Sequence, residues 1–274
     1  MELLTGKDYM HPLEEEAKEQ LLACLGSEGL VGKLYEFYRV DSAASQYLQA
    51  LNKGILVSSK QFSHIDSMVK SIGEQLGLEP VPVYIMPGLE AHVDVKGLEK
   101  PWLEISSGAL RLYSEQELEF MVARQLAHIK LGHMECQVLY ESFLRFVNTL
   151  SQWSDLLISK IPIVGAIKDS LSESYIWKIK VAGARWSRIS EYSADNYALA
   201  ICRWQVKLAF KAILKQSLQD KDLAEQVNLK EYLKQADLIT KCNYSAVQGV
   251  VEYDTYPGGA LRLKELLGFI NRVL

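Results

Sequence analysis

The chain has 274 residues, 49% of them hydrophobic and 23% charged, with a formal net charge of −4. That length can bury a sizeable core, as one large domain or one and a half. The acidic balance argues against a nucleic-acid surface, and four scattered cysteines (Cys24, Cys136, Cys202 and Cys242), with no CxxC pair, read as buried free thiols in a reducing compartment.

The first residues, MELLTGKDYMHPLEEE, show no basic n-region and no apolar h-region, so no signal peptide and a cytoplasmic location are expected. Residues 12–53 read as helical, with acids after Pro12 in the first turn, where the helix dipole favours them. Gly26 and Gly29 break the pattern, and further helices are expected over 34–38 and 43–51. A short strand over 54–57 precedes a helix over 61–76, which Gly77 ends. The β-branched, aromatic run VPVYIM, 81–86, lies between Pro80 and Pro87 and predicts a strand. Two more are expected over 91–95 and 102–106, on either side of the turn-like GLEKP.

Residues 117–136, ELEFMVARQLAHIKLGHMEC, predict one amphipathic helix. Ser114 can cap it, and Glu117 completes a capping box. Leu118, Met121, Val122, Ile129 and Cys136 recur at helical spacing as an apolar stripe, with Gln125 in its middle and Arg124 and His128 on the adjoining line. Buried polar groups must find partners or cost about 1–3 kcal/mol each. His133 would sit roughly 140° round a continuous helix from His128, off its face. Helical segments then run to Trp186, a strong helix covers 188–204, and 207–274 is mostly helical with a break at Tyr256-Pro257-Gly258-Gly259. The apolar run 156–167, LLISKIPIVGAI, holds Lys160 and Pro162 and is too short to span a membrane, which needs roughly 20 residues; it reads as a core or packing segment. The expected class is α+β, mostly helical, with a small sheet packed on the central helix. Residues 1–60 are expected to form an N-terminal helical segment and 61–274 the main domain.

Three stretches in one order carry a resemblance: LEISSGALRLYSEQELEFMVARQLAHIKLGHM (103–134), WSRISEYSADNYAL (186–199) and TYPGGALRLKELLGF (255–269). They resemble the soluble, cytoplasmic-type members of the M48 zinc metallopeptidase family, whose active-site helix normally reads AHELGHIxxGH. The resemblance implies a zincin-like fold. In that motif, two histidines at i and i+4 bind zinc, the glutamate between them polarises the zinc-bound water, and a later acid closes the site. In this chain Arg124 stands at the first histidine, Gln125 at the general base, His128 at the second histidine and Glu191 at the third ligand, while Tyr256 replaces the histidine of a C-terminal T-H-P segment.

Each change removes a chemical requirement. Arginine has no lone pair to offer a metal, and glutamine takes no proton from water at neutral pH. The expectation is therefore a pseudo-peptidase with no catalytic residue and no cofactor. Its vestigial zinc site, Arg124, His128 and Glu191, would be closed by a bidentate Arg124–Glu191 pair, with Arg188 the competing partner. Asp195 is expected to support His128, with Tyr256 beside the site. The partner would be a peptide or protein segment in the old substrate cleft, held by strand addition; no membrane span is expected, and the sequence names no oligomeric state. His92 lies where the family runs its substrate-side edge strand, but Ala91-His92-Val93 replace the expected residues. The alternative is an active zinc metalloendopeptidase that keeps His128 and Glu191 as ligands and recruits His92, His133 or Cys136. A third reading makes the chain a structural subunit that uses 156–167 as an interface.

Overall fold

A four-stranded mixed sheet lies against one central helix in the structure, a computed structural model that describes residues 9–26, 32–34, 36, 44–153, 173–241 and 256–273. The expected segment 156–167 and Cys242 lie outside these residues. The strands are β1 (Ile55–Leu56), β2 (Val83–Met86), β3 (Val93–Lys96) and β4 (Trp102–Ser106), in the order β1-β2-β4-β3. β2 and β4 run parallel, whereas β3 runs antiparallel to β4 with Val93 opposite Ile105. β3 is thus an edge strand. It alternates, with Val93 and Val95 buried and Asp94 and Lys96 half-buried.

The described helices are α1 (Glu14–Leu25), α2 (Ala44–Lys53), α3 (Ser63–Leu76), α4 (Ser107–Leu112), α5 (Glu115–Lys130), α6 (His133–Trp153), α7 (Glu173–Ile201), α8 (Val206–Leu218), α9 (Lys221–Glu225), α10 (Leu229–Lys241) and α11 (Gly259–Val273). None of them is long and apolar enough to cross a membrane. The α5 capping box forms: the Ser114 N–H donates to Glu117 Oε2 at 2.8 Å, and the Glu117 N–H to Ser114 Oγ at 3.3 Å. Phe120, Met121, Val122 and Leu126 are then fully buried, each side chain worth about 1.5–3 kcal/mol of hydrophobic stabilisation, an upper bound against a compact unfolded chain.

The helix predicted over 117–136 is two helices. Gly132 takes φ 68°, the left-handed conformation that ends helices, and its N–H turns back to Ile129 O at 3.1 Å. α6 starts afresh at His133. The helix expected over 188–204 begins earlier, at Glu173, and stops at Ile201, where Arg203 and Trp204 take positive φ.

Two large buried clusters result, beside a small one in which Ala50 of α2 packs with Tyr84 and Trp102 of the sheet. The larger joins the sheet to α3, α5, α8, α11 and the C-terminal half of α7. The smaller joins α1 and α6 to the N-terminal half of α7 through Leu21, Leu25, Phe143, Ile179 and Trp186. α6 and α7 approach closely because Gly183 has no side chain: a Cβ there would run into the Tyr140 ring, whose hydroxyl donates to Lys180 O at 3.0 Å. Glu191 and Asp195 sit where α7 passes from the smaller cluster to the larger.

A buried charge cluster at the centre of the candidate site

α5, α7 and α11 bring two arginines and two carboxylates together. Arg124 on α5 is fully buried, as are Asp195 on α7 and Arg262 on α11, and Glu191 is largely so. Arg124 Nη2 donates to Glu191 Oε2. Its Nε lies 2.6 Å from Asp195 Oδ1, a close charge contact whose angle is off the N–H direction, so Nε and Nη1 find no hydrogen-bond partner among the described residues. Arg124 therefore spans two acids; the expected bidentate fork on Glu191 is not formed. Arg262 does form a fork. Its Nε and Nη2 donate to Asp195 Oδ2 and Oδ1 at 2.8 and 2.6 Å, and its Nη1 reaches Gln216 Oε1 and Tyr256 Oη, both at 2.6 Å. The Tyr256 hydroxyl is also 3.4 Å from Arg124 Nη2. Burial alone would raise the Glu191 carboxyl, but Arg124, His128 and Arg262 together outweigh it and hold the group far below the usual carboxylate range.

The expected support of His128 by Asp195 is corrected by this geometry, because both oxygens of Asp195 are committed to arginines. His128 Nδ1 instead meets His133 Nδ1 at 2.8 Å. The break at Gly132 makes this contact possible: on a continuous helix the two rings would diverge, whereas the new helix swings His133 back. His133 Nε2 contacts Glu14 Oε1 at 2.8 Å. A carboxylate can only accept, so Nε2 carries the proton, and a neutral His133 accepts from His128 through Nδ1. His128 Nε2 lies 3.5 Å from Glu191 Oε1. Ser193 Oγ donates to the other Glu14 oxygen.

Burial pushes His133 below its ordinary value of 6.5, with Glu14 opposing but not cancelling it. Burial raises Glu14, but the hydrogen bonds from His133 and Ser193 outweigh it and bring the carboxyl below 4.5. Both groups thus bind fewer protons folded than unfolded, and stability is expected to fall as pH falls. The loss begins through pH 6.5, as the unfolded chain takes the proton that His133 refuses, and continues below 4.5 as Glu14 titrates. Thermal melts from about pH 8 to about pH 4 check this, and His133→Gln should flatten the upper part of the slope.

The cleft beside this cluster holds about 240 Å³, below the roughly 300–1,000 Å³ of small-molecule sites. Asp94, Val95 and Lys96 of β3 form one wall, Tyr140 and Trp186 another, and Gln125, His128 and Glu191 the floor. Gln125 turns to the edge strand, its Oε1 accepting from the Val95 N–H at 3.1 Å. His92 donates its N–H to Ser106 Oγ, and Cys136 lies in the smaller cluster, its thiol pushed up by burial to about 11.

These residues do not fit zinc, which takes thiolate, imidazole or carboxylate donors. A guanidinium stands against Glu191, His133 has given both ring nitrogens to hydrogen bonds, and no group of three His, Cys, Asp or Glu among the described residues is placed to hold a metal.

Glu14, Ser193, Gln216 and Arg262 belong to the cluster without having been singled out in the sequence. Arg262 carried a signal, a lone charge on the apolar face of Ala260, Leu263 and Leu266. Glu14 carried none, as one of three acids in the first turn of α1.

Compared with known proteins, the model of Peptidase family M48 matches residues 63–269. Plastoglobule-localized metallopeptidase 48, chloroplastic, of Arabidopsis thaliana is 24% identical over 249 residues, which cover 88% of this chain and 64% of that protein. The crystal structure of S. mikatae Ste24p superposes with a TM-score of 0.51 at 12% identity, over 92% of this chain and 62% of that one, a likeness of fold. The chain thus spans a little under two thirds of each.

Proposed function

The chain belongs to peptidase family M48, and from that membership we propose that it is a non-hydrolytic member, which binds a peptide or protein segment in the cleft between β3 and α6. The carrying observation is the buried contact of Arg124 with Glu191 and Asp195. In the family motif the residues at the Arg124 and Glu191 positions converge on zinc; here a permanent cation stands against the acid, and a salt bridge replaces the metal cross-link. A guanidinium neither coordinates a metal nor tolerates a dication beside it. Gln125 at the general-base position holds a backbone N–H and has no basicity to offer water.

The zinc-dependent alternative would have to recruit a new ligand. His133 is committed to His128 and Glu14, and the Cys136 thiol stays protonated at neutral pH; both weigh against it. Cytoplasmic placement remains part of this reading.

Elemental analysis of untagged protein, after mild chelation and zinc re-addition, tests it. Less than about a tenth of an equivalent per chain is expected, and close to one tightly held equivalent would overturn the reading.

A further inference from the structure

The register of β3 decides which of its backbone groups face away from the sheet. The Ser106 N–H donates to His92 O at 3.0 Å, so these two form a hydrogen-bonded pair. With Val93 opposite Ile105, the following such pairs are Asp94 with Glu104 and Lys96 with Trp102. Ala91, Val93 and Val95 therefore turn their N–H and C=O groups outward.

Two of these three are engaged by glutamine side chains. Gln219, just past α8, accepts from the Ala91 N–H through Oε1 at 2.6 Å and donates Nε2 to Ala91 O at 3.2 Å. That is the reciprocal pair of bonds a residue on a neighbouring strand would make. Four residues on, Gln125 accepts from the Val95 N–H. Between them, no hydrogen bond of the described residues engages the outward groups of Val93. A primary amide is the peptide group without its chain. An edge that holds two such amides at alternating outward positions has the geometry that holds an extended backbone.

We infer that Gln125 and Gln219 stand in for an added strand along the β3 edge from Ala91 to Lys96 and keep that edge shut until an extended polypeptide segment displaces them. This rests on the peptide-binding reading and adds its regulation: the substitution that removed the general base also closed the edge. Asp94, Lys96 and Glu141 give the cleft no single sign of charge, so main-chain hydrogen bonds, and not charge, select the occupant.

The probe is fluorescein-labelled β-casein, an unstructured polypeptide, titrated into the full chain and followed by anisotropy, with amide exchange over 91–96 read in parallel. Gln125→Ala with Gln219→Ala is expected to bind about tenfold more tightly than the wild type, since two competing neutral hydrogen bonds are gone. Exchange at Val95 should quicken in Gln125→Ala and slow again when casein is added. Gln219 is exposed and Gln125 half-buried, so Gln219→Ala alone keeps the test valid if the Gln125 change unfolds the chain; it should tighten binding about threefold. Equal binding by all variants, with exchange over 91–96 unaffected by casein, would overturn the edge site and leave peptide binding elsewhere in place. No binding by any folded variant would overturn the peptide-binding reading itself. Self-association of the double variant in place of casein binding would make a second copy the occupant and overturn the inference as stated.

Discussion

Asp195→Ala is expected to be the most damaging single substitution in the cluster, costing about 3–5 kcal/mol, or roughly 6–20 °C in Tm for a chain of this size. Asp195 is 1% exposed and faces both fully buried guanidiniums, forked by Arg262 and touched by Arg124 Nε. Removing its carboxylate strands most of one buried cation and part of another, where water cannot replace the lost partner. The same deletion at Glu231, which pairs with Lys234 on the surface with both side chains 66% exposed, should change stability by only a few tenths of a kcal/mol. Arg124→Met should cost less than Asp195→Ala, because Arg262 still covers Asp195 and Glu191 borders the cleft, where water can reach it. Denaturant melts of the three variants give the order directly. If Asp195→Ala proved as mild as the Glu231 change, the cluster would be a collection of marginal contacts with no part in closing the site.

What the sequence made legible follows from how local each signal is. The capping box at Ser114 and the stop at Gly77 are set by residues within a few positions of each other, and both form as expected. The strand at Trp102–Ser106 was bounded by its own turn and pattern. The break at Gly132 was missed because Cys136 continues the apolar spacing of Leu118 and Ile129, so periodicity alone ran one helix through it. Its left-handed turn then brought His133 to His128, a contact that a continuous helix forbids. The meeting of Arg124 with Glu191 could be expected because a motif with known convergence named both positions. Glu14 could not: it lies 119 residues from His133 and 179 from Ser193, and only tertiary packing of α1 on α6 and α7 brings them together. Arg262, 67 residues from Asp195, was legible as an anomaly on an apolar face and illegible as a partner.

The combined substitution Arg124→His with Gln125→Glu is expected to raise zinc content from under about a tenth of an equivalent to about one per chain. Three conditions for a metal would then be met by residues already positioned. His128 turns Nε2 towards Glu191, because its Nδ1 is held by His133 on the other side. Glu191, released from Arg124, keeps an oxygen 3.5 Å from that nitrogen. The new imidazole would start from the α5 position whose present side chain already reaches Glu191. The cost falls on Asp195, which would keep Arg262 but lose Arg124; zinc binding should repay it, so Tm should rise with added zinc in the double variant and not in the wild type. Gln125→Glu alone should bind no more zinc than the wild type, since Arg124 would remain in place. If the folded double variant took up no zinc, positions 124, 128 and 191 would not converge as a metal site requires, and the vestigial-site reading would fall while the salt-bridge cluster stood.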